Sequence, residues 1–162
     1  MEVRVGFGYD VHPLVPGRKL FLGGVEIEWH QGLQGHSDAD VLIHAICDAL
    51  LGAAGKGDLG RHFPDSDPRY KDVPSSELLK EVKDMVEREG FQVGNIDATI
   101  VAQRPKLSPY IPKMERTVAS ILGVEPSRVN IKATTTEHLG FTGREEGMAA
   151  YAVTILLREE LS

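Results

Sequence analysis

Near the amino terminus, FGYDVHPL (residues 7–14) sets Asp10 and His12 two positions apart. The preceding Glu2-Val3-Arg4-Val5 alternates polar with apolar, a strand pattern, and along a strand residues i and i+2 project from one face. A carboxylate and an imidazole converging there are either an ordinary hydrogen-bonded couple or two ligands of a divalent cation, which in a catalytic site needs a third protein ligand. His44 is the candidate. It lies in SDADVLIHAICDALLG, where Asp40, His44 and Asp48 are spaced i, i+4, i+8 and share a helical face. Asp40 or Asp48 is placed to hold the other ring nitrogen, as metal-bound histidines require; the bland alternative is a solvated polar helix face. His36 and Asp38 repeat the spacing of two just ahead of this helix. They are further candidate ligands, or His36 meets an anion held by the free N–H groups of the helix start.

Two other stretches are rich in oxygen donors. GKGDLGRHFPDSDP carries Asp58, Asp65 and Asp67 among glycines and prolines, without the Lys-Ser/Thr ending of a P-loop. It reads as a turn-rich connection or as a substrate-gripping loop in which Asp58 and the backbone near Gly60 bind sugar hydroxyls. KATTTEHLGFTGREEG strings Thr134, Thr135, Thr136 and Glu137 ahead of Gly140, Gly143 and Gly147. Those hard oxygen donors suit a diphosphate and its magnesium ion, although a threonine-rich strand entering a glycine turn has the same composition. Arg144 is a phosphate fork if it faces a cavity and a surface cation otherwise.

The elements that must position these groups are legible in the hydrophobic periodicity. After the first strand, KLFLGGVEIEW reads as a hairpin around Gly23-Gly24. Leu42, Ala45, Ile46, Ala49, Leu50 and Ala53 form the buried stripe of a helix, with Ser37 as N-cap, Asp40 as the acidic member of a capping box and Gly55 as the stop. Lys56 to Pro74 reads as a long loop. A second helix follows, capped by Ser75 or Ser76, lined by Leu79, Val82 and Val86, and ended by Gly90. NIDATIVAQ is a strand, Ser108 to Leu122 a third helix with Pro109 and Pro112 near its start, and RVNIKATTT and MAAYAVTILLRE are strands, the last apolar enough to be central. This order predicts an α+β sandwich with helices on one face of a mostly antiparallel sheet. The other sheet face is too apolar to meet water, so self-association with closed symmetry is expected.

At 162 residues the chain fits one domain over 1–162, and 41% hydrophobic with 26% charged residues excludes a disordered composition. The formal net charge of −6 argues against nucleic-acid binding through bulk electrostatics and requires local cations for any anionic substrate. No apolar run reaches membrane-spanning length and no basic-then-apolar leader precedes the first strand, so no membrane partner and a cytoplasmic location are expected. The single Cys47 excludes an internal disulfide and reads as a small buried hydrophobe.

GYDVH, SDADVLIHAICD, GDLGRHFPDSDP, AQRPKLSPYIPKM and KATTTEHLGFTGREEG, in this order, closely resemble the 2-C-methyl-D-erythritol 2,4-cyclodiphosphate synthases of the non-mevalonate isoprenoid route, end to end and in length. The resemblance implies a lyase that converts 4-diphosphocytidyl-2-C-methyl-D-erythritol 2-phosphate to the cyclic diphosphate and CMP by metal-assisted intramolecular phosphoryl transfer. It implies ferredoxin-like topology and a homotrimer packed through its sheets, with active sites between subunits. By residue matching, Asp10, His12 and His44 bind zinc or another divalent cation, with Asp10 and His12 also near the substrate. His36 and Ser37 contact a substrate phosphate, while Asp58, Leu59, Gly60, Phe63, Asp65 and Asp67 hold the methylerythritol portion. Ala102, Lys106, Leu107, Ser108, Thr134, Thr135 and Thr136 receive the cytidine diphosphate, and Glu137 binds the accompanying Mg2+ or Mn2+. His36 and Thr135 are the implied catalytic pair. Phe141 and Arg144 match residues around an axial cavity able to hold an isoprenoid diphosphate. Two departures stand out: His138, where Lys is common, and Arg104 beside the nucleotide segment.

Overall fold

A computed structural model describes residues 1–161. Strand β1 (Glu2–Pro16) follows the alternation of its sequence: Gly6, Gly8 and Leu14 are buried on one side, and Val3, Val5, Phe7, Tyr9 and Val11 are exposed on the other. Residues 2–13 pair antiparallel with β7 (Gly147–Arg158), which pairs antiparallel with β5 (Gln92–Val101). β5 runs parallel to the edge strand β6 (Val129–Thr134), and the short β4 (Gln31–Leu33) pairs with the end of β1. The sheet order is therefore β4-β1-β7-β5-β6, with the apolar last strand in the centre. Strands β2 (Leu20–Leu22) and β3 (Val25–Ile27) form the expected separate hairpin, closed by Gly23 and Gly24 at φ 60° and 75°, as a two-residue type I′ loop requires.

The ferredoxin-like βαββαβ expectation is corrected by this order. The main chain path is β1, helix, helix, β5, helix, β6, β7, so β5 and β6 form a parallel crossover unit and β7 inserts between β1 and β5. A third helix between β5 and β6 forces the crossover, because parallel neighbours need a long connection.

Helix α1 (Val41–Ala53) packs on β1 and β7 and against α3 (Ser75–Arg88); α4 (Ile111–Leu122) packs on β6 and α3. The approach of α1 is unusually close. A Cβ on Gly6 would fall 1.8 Å from the Ala49 carbonyl oxygen, and one on Gly8 would fall 1.9 Å from that of Ala45. Any side chain at either position pushes the helix off the sheet. The small residues Ala45, Ala49 and Ala53 complete the contact from the helix side, all buried. Cys47 is buried in the same helix, as expected.

Several local expectations change. The N-cap of α1 is Asp40 rather than Ser37: its Oδ1 accepts from Ile43 N at 3.0 Å. The same carboxylate accepts from Gly23 N at 3.0 Å and Gly24 N at 2.8 Å, so one fully buried side chain ties the hairpin turn to the helix start. α3 starts at Ser75 without a cap from Ser75 or Ser76; Asp38 Oδ2, from another segment, accepts the Ser75 N–H at 3.0 Å. The segment between α1 and α3 is no plain loop, since Asp58 caps a one-turn helix α2 (Leu59–His62) and Asp67 caps a 3-10 turn at Pro68–Tyr70. A 3-10 turn at Ser108–Tyr110 precedes α4, which ends on Gly123 in the left-handed region. Among the described residues no helix is long and apolar enough to cross a membrane.

Burial of Asp40, reinforced by the nearby Asp38, pushes its carboxyl up to about 6, so near neutral pH it is ionised against three N–H donors. Asp40→Ala leaves those donors without an acceptor at ~1–3 kcal/mol for each buried group, so unfolding in urea, followed by circular dichroism, is expected to show a loss of about 3 kcal/mol or more. Asp40→Asn, which keeps one acceptor oxygen, is expected to lose less.

Candidate active site

The close packing of α1 on β1 brings His44 opposite the end of the strand. Asp10 and His12 follow Gly8 on its helix-facing side, and His44 immediately precedes Ala45, whose carbonyl rests over Gly8. His12 Nε2 lies 2.9 Å from Asp10 Oδ2, His44 Nδ1 lies 3.1 Å from the same oxygen, and the two ring nitrogens are 3.3 Å apart. Among the described residues these three form the one group of metal-ligand type, with every ligand atom within 4.8 Å of the others.

This donor set fits a divalent cation. Tetrahedral bonds of ~2.0–2.1 Å to zinc separate ligand atoms by about 3.3 Å, close to the edges seen here. The tautomer of His44 also fits. Ser75 Oγ donates to Asp38 Oδ1, which can only accept. Ser75 Oγ is then the acceptor for His44 Nε2–H at 2.9 Å, with Ser37 Oγ at 3.2 Å, and Nδ1 keeps its lone pair toward Asp10 and His12. The expected support from Asp40 or Asp48 is therefore replaced by a serine pair backed by Asp38. Asp40 is committed to backbone amides, and Asp48 Oδ1 accepts from Leu59 N at 2.7 Å, anchoring α2. Neither aspartate belongs to a solvated face, since Asp40 is buried and Asp48 half-buried.

Electrostatics favour positive charge at this centre. Burial opposes ionisation of Asp10, but the imidazoles of His12 and His44 facing it outweigh that and hold the carboxyl down at about 2. Burial likewise favours a neutral His44 ring, yet Asp10 raises its affinity for a proton. Burial pushes the Asp48 carboxyl up.

The triad opens into a cavity of about 320 Å³ that also exposes His36, Ser37, Asp48, Leu59, Gly60, Phe63 and Asp65. Two aspartates expected here stand back from it. Asp58 accepts from Arg61 N at 2.9 Å as the cap of α2. Asp67 binds the Arg69 guanidinium, and its carbonyl accepts His36 Nε2–H at 2.8 Å, leaving Nδ1 as the ring atom free for a ligand. A second cavity, about 550 Å³, gathers Ala102, Lys106, Leu107, Ser108, Thr134 and Thr135 together with Trp29, Arg104 and Ile111. Thr136 is turned inward, donating to Leu139 O at 2.6 Å and meeting Thr142 Oγ1 at 2.8 Å. Glu137, Phe141 and Arg144 lie outside both cavities on the exposed segment before β7, with Arg144 Nη2 3.2 Å from Glu146.

Sequence reasoning missed Ser75, which it read as a cap, and Asp38 as the group behind it; the N–H of Ser75 bound to Asp38 reverses that assignment. Tyr70, which also lines the first cavity, comes from a segment without periodicity and carries no sequence signal.

A family model described as the YgbB family matches residues 3–157. The 2-C-methyl-D-erythritol 2,4-cyclodiphosphate synthase of Geobacter sulfurreducens is 61% identical over 95% of this chain and 98% of its own length. That of Geotalea daltonii is 61% identical over 99% and 94%. Among solved structures, the bifunctional IspDF of Campylobacter jejuni superposes with a TM-score of 0.94 at 46% identity, covering 98% of this chain, which spans 43% of that longer protein. The Plasmodium falciparum IspF complex with CDP gives a TM-score of 0.86 at 29% identity over 98% of this chain and 97% of that one. With the family match running through both cavities and the metal-ligand triad, this chain belongs to the YgbB family, the family of the 2-C-methyl-D-erythritol 2,4-cyclodiphosphate synthases.

Proposed function

We propose that this chain converts 4-diphosphocytidyl-2-C-methyl-D-erythritol 2-phosphate into 2-C-methyl-D-erythritol 2,4-cyclodiphosphate and CMP. The observation that carries the reading is the convergence of Asp10, His12 and His44 at one cavity with His36 and Ser37, in a chain 61% identical to a synthase of that name. An oxygen of the 2-phosphate attacks the β-phosphorus, the bond from that phosphorus to the bridging oxygen breaks, and CMP leaves with the electron pair. The attacking phosphate is already anionic, so no general base is needed; alignment and charge neutralisation are what the protein must provide.

Asp10, His12 and His44 would hold a zinc ion or another divalent cation, which supplies Lewis-acid neutralisation of phosphate oxygens when bound. His36 Nδ1 and the Ser37 hydroxyl orient the adjacent phosphate. The loop of Leu59, Gly60, Phe63 and Asp65 holds the methylerythritol hydroxyls, with Asp58 acting through its cap on α2 and Asp67 through its carbonyl on His36. Ala102, Lys106, Leu107, Ser108, Thr134 and Thr135 take the cytidine diphosphate. His36 and Thr135 donate to charge developing at the β-phosphorus. Glu137 serves the Mg2+ or Mn2+ that accompanies the diphosphate.

The two cavities are best used together in a homotrimer. Val5 and Phe7 are 66% and 60% exposed, and with Val3, Tyr9, Val11, Tyr151 and Val153 they leave one sheet face apolar. Packing three copies through these faces removes that surface from water and sets one subunit's metal cavity beside its neighbour's nucleotide cavity. Phe141 and Arg144 then belong to an axial cavity for an isoprenoid diphosphate.

Incubation with the cytidylyl substrate is expected to release CMP and the cyclic diphosphate, identified by phosphorus NMR; a linear diphosphate would show that water attacks instead. His44→Ala is expected to fold but to lose bound zinc in elemental analysis, and Ser75→Ala to weaken metal affinity about 10–100-fold by freeing the His44 ring. Glu137→Gln is expected to move the activity curve to higher magnesium concentration, and an unmoved curve places the metal-binding carboxylate elsewhere.

A further inference from the structure

The outer wall of the nucleotide cavity carries two side chains that the proposed reaction leaves unused, Trp29 and Arg104. The Arg104 guanidinium lies over the Trp29 indole, 5.6 Å from the ring centroid. Its Nε and Nη2 donate to Glu145 Oε1 and Oε2 at 2.7 and 3.2 Å. Glu145 holds a left-handed backbone, φ 62°, in the segment after the threonines. Next to Arg104, Gln103 Oε1 accepts from His138 N at 3.0 Å, a second tie between the same two segments.

A guanidinium already neutralised by a forked carboxylate is a poor trap for a further anion. What it keeps is a planar, weakly hydrated surface, and such surfaces stack on flat rings. The indole under it, which also packs against the His30 ring at 4.5 Å between centroids, lines the same cavity. The position is therefore suited to the nucleoside end of a ligand rather than its diphosphate.

We propose that Trp29 and Arg104 contact the nucleoside of a bound nucleoside diphosphate, forming an indole–guanidinium wall, and that Glu145 is the positioning residue that keeps Arg104 on this wall. This rests on the reading that the cavity takes cytidine diphosphate. Because the Arg104–Glu145 pair is exposed, it adds little to stability, so its loss separates binding from folding.

Trp29 is the only tryptophan, so its fluorescence reports on this wall alone. The intact protein and the variants Arg104→Ala and Glu145→Gln are titrated with cytidine 5′-diphosphate and with inorganic pyrophosphate, by fluorescence and calorimetry. Cytidine diphosphate is expected to shift Trp29 emission. Arg104→Ala is expected to weaken its binding about tenfold, Glu145→Gln about threefold, with pyrophosphate affinity and melting temperature unchanged. An equal loss for pyrophosphate assigns Arg104 to the diphosphate and overturns the inference. So does unchanged cytidine diphosphate affinity in Arg104→Ala while the parent protein binds. A parent protein that does not bind cytidine diphosphate overturns the reading of the cavity itself, and the inference with it.

Discussion

The backbone of α1 rests on the backbone of β1 because Gly6 and Gly8 carry no side chain where the carbonyls of Ala49 and Ala45 arrive. Everything at the metal-ligand triad follows from that distance. An imidazole is short, and a helix held off by even one methyl layer would leave His44 unable to reach Asp10 and His12. Here its Nδ1 comes within 3.3 Å of both partners. The two glycines have ordinary extended backbones in a paired strand, so their value is the space they leave and not conformational freedom.

A second layer of constraint keeps the histidine pointed correctly. His44 is bound on its far side by Ser37 and Ser75, and Ser75 is itself the first residue of α3 and a partner of Asp38. Three segments distant in sequence thus meet at one ring: β1, α1 with its approach, and the start of α3. The arrangement fixes the tautomer without any formal charge touching Nε2 directly, which leaves the Asp10 carboxylate as the charge that governs the ligand side.

Much of this was legible in the residues. The spacing of two between Asp10 and His12 and the position of His44 on a helix offered the three as candidate ligands, which the family resemblance then selected, and the apolar stripe of Leu42, Ala45, Ile46 and Ala49 identified the helix face. The helices on one face of a mostly antiparallel sheet followed from element order. What periodicity could not carry was nonlocal. Asp40 as a cap shared with a hairpin, Asp38 as the cap of a distant helix, and the parallel pairing of β5 with β6 all depend on segments meeting in space. A three-residue strand such as β4 is too short for a pattern to show, and Trp29 and Arg104 meet only because the segment between β3 and β4 and the loop after β5 come together.

The strand that bears Asp10 and His12 is hydrogen-bonded along most of its length to the last strand of the chain. During translation β1 emerges before β7, so residues 2–13 must wait without a strand partner until residues 147–158 have followed. A nascent chain stalled before residue 147 would display that open edge together with its apolar outer face, and would be a substrate for chaperones or a seed for aggregates.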